Sequence, residues 1–168
     1  MTAHVHGAAP ADVSTAAGIA TSGSATRLRS AGIRVTKPRI AVLDVLEEAR
    51  PRHEHLSAAT VEERVRARIG AISTQGVYDC LEALEAAHLL RTLEPAGQPA
   101  LYESRVNDNH HHLVCRSCNL VTDIDCVVGE SACLTPSSTN GFVVDEAEVT
   151  FWGLCPSCAA SSAPAERP

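Results

Sequence analysis

Aromatic side chains are nearly missing: one Trp, two Tyr and two Phe in 168 residues. The chain is nonetheless 45% hydrophobic, so its core has to be built from Val, Leu, Ile and Ala. Long apolar runs are missing as well. Nothing approaches the roughly 20 consecutive apolar residues of a bilayer-spanning helix, so no membrane anchor is expected. The N-terminus lacks a charged start followed by an apolar stretch, which leaves no secretory signal and makes the cytoplasm the expected location. No glycine-rich phosphate loop and no nucleophile–base pair can be found, which argues against most enzyme classes. An enzyme reading stays open only as a metal-dependent hydrolase or oxidoreductase.

Positive charge is scarce overall, with a net charge of −6, but its distribution matters more. Before Glu103 eleven acidic and eleven basic residues cancel; from Glu103 onward nine acidic residues face three basic ones. Within the first half, "RLRSAGIRVTKPR" carries five cations and no anion from Arg27 to Arg39. Such a segment can meet phosphates even on an acidic protein, though a solvated surface would carry the same charges.

Residues 1–24 hold few large apolar groups and are expected to be a disordered tail, with His4 and His6 solvated. Residues 159–168, "AASSAPAERP", are expected to be a second, flexible tail. Between them come helical patterns. Thr36 is an N-cap before "KPRIAVLDVLEEA", Ser57 caps "SAATVEERVRARIG" up to Gly70, and Ser73 or Thr74 caps "STQGVYDCLEALEAAH". "LLRTLE" and "ALYES" are short strands flanking a "PAGQP" turn. Three helices and a two-stranded ribbon predict a winged helix-turn-helix domain over 25–103. From 104 to 158 the chain is strand-like in "HHLVC", "LVTDIDC" and "FVVDEAEVTFWGL", with a helix possible over 127–134. The fold class expected is α+β: a winged helix-turn-helix domain, a hinge near 103–106, then a small α/β domain.

Seven cysteines in a chain without a secretory signal suggest metal ligands or redox thiols. Cys115-x2-Cys118 and Cys155-x2-Cys158 have the spacing of a closed, tetrahedral four-thiolate site for structural Zn2+. Just upstream, "NHHH" puts histidines at 110, 111 and 112. If this stretch is extended, His110 and His112 share one face, while His111 and Cys115 lie on the other. Two imidazoles remote from the thiolates need oxygen partners, and Glu103, Asp108, Asp123 and Asp125 are near in sequence. A mixed nitrogen and carboxylate set suits Fe2+ or Mn2+. Two separate ions are therefore expected.

Taken in order, "GIRVTKPRIAVL", "HLSA", "VYDCLEALEAAHLL", "YES", "NHHHLVCRSC" and "WGLCPSC" resemble the ferric uptake regulator family of metal-dependent repressors, over roughly residues 27–158. The likeness is greatest to its catalase-associated, peroxide-responsive actinobacterial branch. The resemblance implies a homodimer that binds double-stranded operator DNA through its N-terminal domain and pairs through its C-terminal one. It implies structural zinc on Cys115, Cys118, Cys155 and Cys158, and a regulatory metal on His55, Glu103, His110, His112 and Asp123. His111 and Glu130 match half of a possible third metal site, whose other positions are Asn109 and Ala147 here, where relatives commonly have histidine. Arg34, Arg39 and Tyr78 match DNA-contacting positions, and Asp79 stands where many relatives have arginine. The implied function is a repressor loaded with iron(II) and responsive to peroxide, controlling oxidative-stress genes such as catalase-peroxidase and its own gene, with iron genes as further targets. The alternative is a zinc- or manganese-responsive repressor of metal uptake genes. Cys80, Cys126 and Cys133 are either buried small hydrophobes or peroxide-sensitive thiols.

Overall fold

A computed structural model describes residues 23–106, 110–125, 136–144 and 147–162. The chain opens with helices α1 (Gly23–Ser30) and α2 (Lys37–Ala49). A 3-10 turn, Arg50–Arg52, leads to β1 (Leu56–Ser57), α3 (Ala58–Ile69) and α4 (Thr74–Ala86). Strands β2 (Arg91–Leu93) and β3 (Leu101–Glu103) complete the first half. The second half holds β4 (His110–Cys115), β5 (Val121–Asp125), β6 (Thr150–Gly153) and α5 (Pro156–Ser162).

The helix starts follow from side-chain caps. Thr36, Ser57 and Ser73 each accept a hydrogen bond from the backbone N–H three residues on, satisfying an otherwise orphaned donor. Gly70 closes α3 at a φ of 88°, where a β-carbon would be strained. Between these caps α2 buries Ala41, Val42, Leu43, Val45, Leu46 and Ala49, α3 buries Val61 and Val65, and α4 buries Val77, Cys80, Leu81 and Leu84. These residues and Leu28 of α1 form one apolar cluster, which Leu56 and Tyr102 extend onto the first sheet.

The structure corrects several expectations. Helix α1 begins within the segment assigned to the N-terminal tail and was not anticipated, because it turns a single leucine, Leu28, into the core. The wing is a three-stranded sheet in the order β1-β3-β2, since Leu56–Ser57 adds a strand to the ribbon. Among the described residues of "FVVDEAEVTFWGL" only Thr150–Gly153 is a strand; residues 142–144 are exposed and irregular. Helix α5 runs through Ser162, into the segment assigned to the C-terminal tail, with Cys155 bonded to its first turn (Ala159 N to Cys155 O, 2.8 Å). The helix considered for 127–134 lies outside the described residues.

The second sheet has the order β5-β4-β6, with β4–β5 antiparallel and β4–β6 parallel. A small cluster of Leu93, Val114 and Val121, with Leu101 against it, packs the first sheet on the second. That contact sets how the two halves meet, and the histidines lie beside it.

Candidate metal centres

The sulfur group is assembled by the parallel pairing of β4 with β6. Cys115 ends β4 opposite Gly153, so the turn carrying Cys118 and the start of α5, with Cys155 and Cys158, come together. Their four sulfurs lie within 4.8 Å of one another, and the Cys118–Cys155 separation is 3.7 Å. Zn–S bonds of about 2.3 Å in a tetrahedron put sulfurs about 3.8 Å apart. All four cysteines are free thiols. The backbone amides of Cys118 and Cys155 pull the Cys115 thiol down to about 6, while at Cys118 the Leu120 amide is outweighed by the neighbouring cysteines, which push its thiol up to about 12. A divalent cation would favour the thiolate at every position.

The second group comes from two cross-strand pairs, one in each sheet. Leu56 faces Tyr102 in the β1–β3 ladder, so one step along the ladder brings His55 beside Glu103. In the β4–β5 ladder His112 faces Asp123 directly, and side chains of such a pair share a face. Packing one sheet on the other brings the pairs together. His55 Nε2 lies 3.0 Å from Asp123 Oδ1 and 3.4 Å from Glu103 Oε2. His112 Nε2 lies 3.4 Å from Glu103 Oε1 and 3.8 Å from Asp123 Oδ1. The side chains of His55, Glu103, His112 and Asp123 are at most 5% exposed.

These distances are short, yet alignment is poor. Both ring nitrogens of His55, both of His112 and Asp123 Oδ1 are buried without a hydrogen-bonded partner. Leaving such groups unsatisfied costs about 1–3 kcal/mol each, a cost a shared cation would relieve. The donor set of two imidazoles and two carboxylates fits a divalent transition metal. Without an ion the electrostatics are those of a buried acid–base cluster. Burial opposes charge on His55, but Asp123 and Glu103 outweigh it and raise its pKa to about 9. Against the cost of burial, His55 and His53 lower Asp123 to about 2, and His110, His112 and His55 hold Glu103 well below the carboxylate range.

His110 stands one position aside. It is buried, its Nε2 is 3.0 Å from Glu103 Oε1, and its ring meets that of His112 edge-on at 4.9 Å. It thus partners a member of the four-residue group rather than completing it. His111 is buried on the other face of β4 against Phe151, as alternation requires, and Glu130 lies outside the described residues. On α4 Tyr78 is half exposed and Asp79 accepts a 2.7 Å bond from Gln75 Nε2. Arg34 is exposed, and Arg39 Nη1 donates to the Arg34 carbonyl at 3.0 Å, so part of Arg39 shapes the loop before α2. Cys80 is buried, which raises its thiol pKa, and Cys126 and Cys133 lie outside the described residues.

Three residues that sequence reasoning missed border the His/carboxylate group: His53, Arg105 and Glu148. His53 Nδ1 and Arg105 Nη1 approach Asp123 Oδ2 at 3.2 and 3.4 Å. Glu148 Oε1 is 4.0 Å from His112 Nδ1, too far for a hydrogen bond. Only His53 left a signal, its spacing of two from His55.

The profile of the ferric uptake regulator family matches residues 30–151. Transcriptional regulator FurA of Mycobacterium tuberculosis is 52% identical over 144 residues, covering 86% of this chain and 95% of FurA. The chain belongs to the ferric uptake regulator family. Ferric uptake regulation protein 1 of Mycolicibacterium fortuitum is likewise 52% identical, over 125 residues, 74% of this chain and 75% of the relative. The solved ferric uptake regulator of Pseudomonas aeruginosa with manganese superposes with a TM-score of 0.61 at 24% identity, over 80% of this chain and 98% of that one, and shares its fold. As a ferric uptake regulator family member the protein is a transcriptional regulator, and the enzyme alternative falls. No described helix is long and apolar enough to cross a membrane.

Proposed function

We propose that this family member is a cytoplasmic, homodimeric, metal-dependent repressor of transcription that binds operator DNA when loaded with iron(II) and releases it under peroxide. Residues 25–103 would read DNA and residues 104–158 would bind metal and dimerise. Zinc would sit on Cys115, Cys118, Cys155 and Cys158, and the regulatory ion on His55, Glu103, His112 and Asp123, with His110 holding Glu103. The observation that carries the reading is the origin of the second donor set. Glu103 ends β3 of the sheet under the helices and His55 immediately precedes β1 of that sheet, while His112 and Asp123 belong to the other sheet.

When bound, the ion supplies a positive centre shared by donors from both halves. The chain's own groups then fix one arrangement of the halves: His55 reaches over from β1, Asp123 from β5, and Glu103 sits where β3 enters the linker. In a dimer that arrangement would set two α4 helices against successive major grooves, with Tyr78 and Asp79 exposed toward bases and the Arg34–Arg39 segment toward phosphates. A carboxylate at position 79 can accept from cytosine N4, so operator preference would differ from relatives with arginine there. The exposed apolar residues Leu113, Phe151 and Leu154 suit a face covered by a second copy. Moving the dimer from 1% to 99% competent needs about 5.5 kcal/mol of differential binding.

Peroxide response follows from the branch resemblance and from Asp123 being aspartate. Iron(II) would supply the one-electron chemistry with peroxide; oxidising His55 would remove a donor, and oxidising His110 would release Glu103, and either would loosen the hold on the halves. The buried Cys80 is a poor rival for that role.

Gel-shift of the protein on the DNA upstream of its own gene, with iron(II), manganese(II) or zinc and then peroxide, tests the whole reading. Iron(II) should promote binding, peroxide should reverse it with +16 on a histidine peptide, and His112→Ala should abolish metal stimulation while keeping the cysteine-bound zinc. Metal-stimulated binding that survives His112→Ala would defeat the proposal. A specific observation favours the zinc-responsive alternative: the group offers four protein ligands, the number zinc takes. Zinc alone stimulating binding would select it.

A further inference from the structure

The two carboxylates of the second centre are not equivalent. Glu103 turns Oε1 to His112, sharing that oxygen with His110 at 3.0 Å, and Oε2 to His55, so both of its oxygens face the group. Asp123 turns only Oδ1 inward. Its Oδ2 is held from behind by His53 Nδ1 at 3.2 Å and by Arg105 Nη1 at 3.4 Å. We propose that His53 and Arg105 are positioning residues that restrict Asp123 to one metal-facing oxygen, and thereby set the coordination number, and so the metal preference, of the centre.

Both donors are themselves fixed. Arg105 spends Nη2 on Asp125 Oδ1 at 2.6 Å, and Asp123 and Asp125 lie two apart on β5, on one face of the strand. The guanidinium therefore straddles two carboxylates and cannot swing away without losing both. His53 closes the 3-10 turn in the left-handed region, φ 52°, with its N–H on the Arg50 carbonyl. The next residue, Glu54, is clamped by Arg52 at 2.8 Å and Arg64 at 3.0 Å. The backbone that delivers His53, and two residues later His55, is thus pinned to α3. A second cation on the outer oxygen is excluded by charge, because the Arg105 guanidinium already occupies that side.

The consequence is a ligand count. With Oδ2 held back, Asp123 gives one bond. With Oδ2 released it can chelate, and the count rises by one. Zinc takes four ligands, whereas iron(II) and manganese(II) accept five or six. Two imidazoles, the two Glu103 oxygens and one Asp123 oxygen make at most five, a number iron(II) and manganese(II) accept; His53 and Arg105 keep the count from rising to six, and removing them shifts preference further from zinc toward manganese(II) and iron(II). This rests on the group being a metal site, so the test must separate the two claims.

Cobalt(II) is the probe, added to full-length protein whose cysteine group already holds zinc. Low-coordinate cobalt(II) absorbs visible light far more strongly than six-coordinate cobalt(II). The wild type should bind one equivalent with a strong visible band. The double variant His53→Ala/Arg105→Gln should still bind one equivalent, with the band several-fold weaker and the zinc-to-manganese affinity ratio lowered by roughly tenfold or more. His53→Asn, whose amide N–H can replace Nδ1 and which tolerates positive φ, should keep the wild-type spectrum. One equivalent bound with an unchanged spectrum and ratio in the double variant overturns the positioning role alone. A wild type that binds no cobalt beyond the cysteine zinc overturns the metal site and this inference with it.

Discussion

At the residue scale, His55 is where a proton would compete with the proposed ion. Its ordinary pKa of 6.5 is raised to about 9 because Asp123 and Glu103 outweigh burial. A group whose folded pKa is raised stabilises the fold fully below the unfolded value and loses that contribution as pH climbs through the folded value. Protein with zinc only in the cysteine group should therefore lose thermal stability between pH 7 and 9.5, and His55→Gln should flatten that slope. Asp123, lowered to about 2, acts in the opposite sense, its contribution fading only as pH falls from its ordinary 3.8 through 2. Because the imidazole is charged at pH 7, loading the second centre there should expel a proton, measurable in weakly buffered solution with an indicator. Metal uptake with no proton release in the wild type would contradict the raised pKa.

At the scale of elements, α2 and α4 supply most of the helical core and α1 adds Leu28. Leu28 and Leu81 are both at most 1% exposed. Truncating either to Ala should cost about 2–5 kcal/mol, read from urea unfolding of the zinc-loaded protein. A cost under 1 kcal/mol for Leu28→Ala would mean that α1 is dispensable to the core. The elements also show what the sequence made legible. Strand alternation was enough to separate His110 and His112 from His111, and Cys-x2-Cys spacing was enough to group four sulfurs whose pairs are 37 residues apart. His55 could enter only through the family resemblance, since the β1–β3 ladder that brings it to Glu103 rests on a two-residue strand with no pattern of its own. The choice of Asp123 over Asp125 depended on register: His112 faces the first, and Arg105 takes the second. Helix α1 was invisible because one leucine in eight residues makes no periodicity.

For the whole molecule, the junction between halves is small and mixed. Leu93, Leu101, Val114 and Val121 make the apolar part, and the donors of the second centre make the polar part. An ion there sees its affinity reduced by the fraction of molecules in which the halves are docked. Leu93→Ala should thus weaken metal binding at the second centre by roughly tenfold, though Leu93 is not among its donors, and leave zinc at the four cysteines unchanged. Competitive titration against a chelating dye measures both, and equal losses at the two sites would point to general unfolding instead.

One strand, β4, carries His112 in its middle and Cys115 at its end, paired in parallel to β6. Sliding a strand by a single residue inverts every side chain on it. An ion on the four cysteines would fasten that strand's end and act as the stop that keeps imidazole 112 from rotating toward Phe151. A chelator that strips it would then blind the His/carboxylate group without removing any of its own donors.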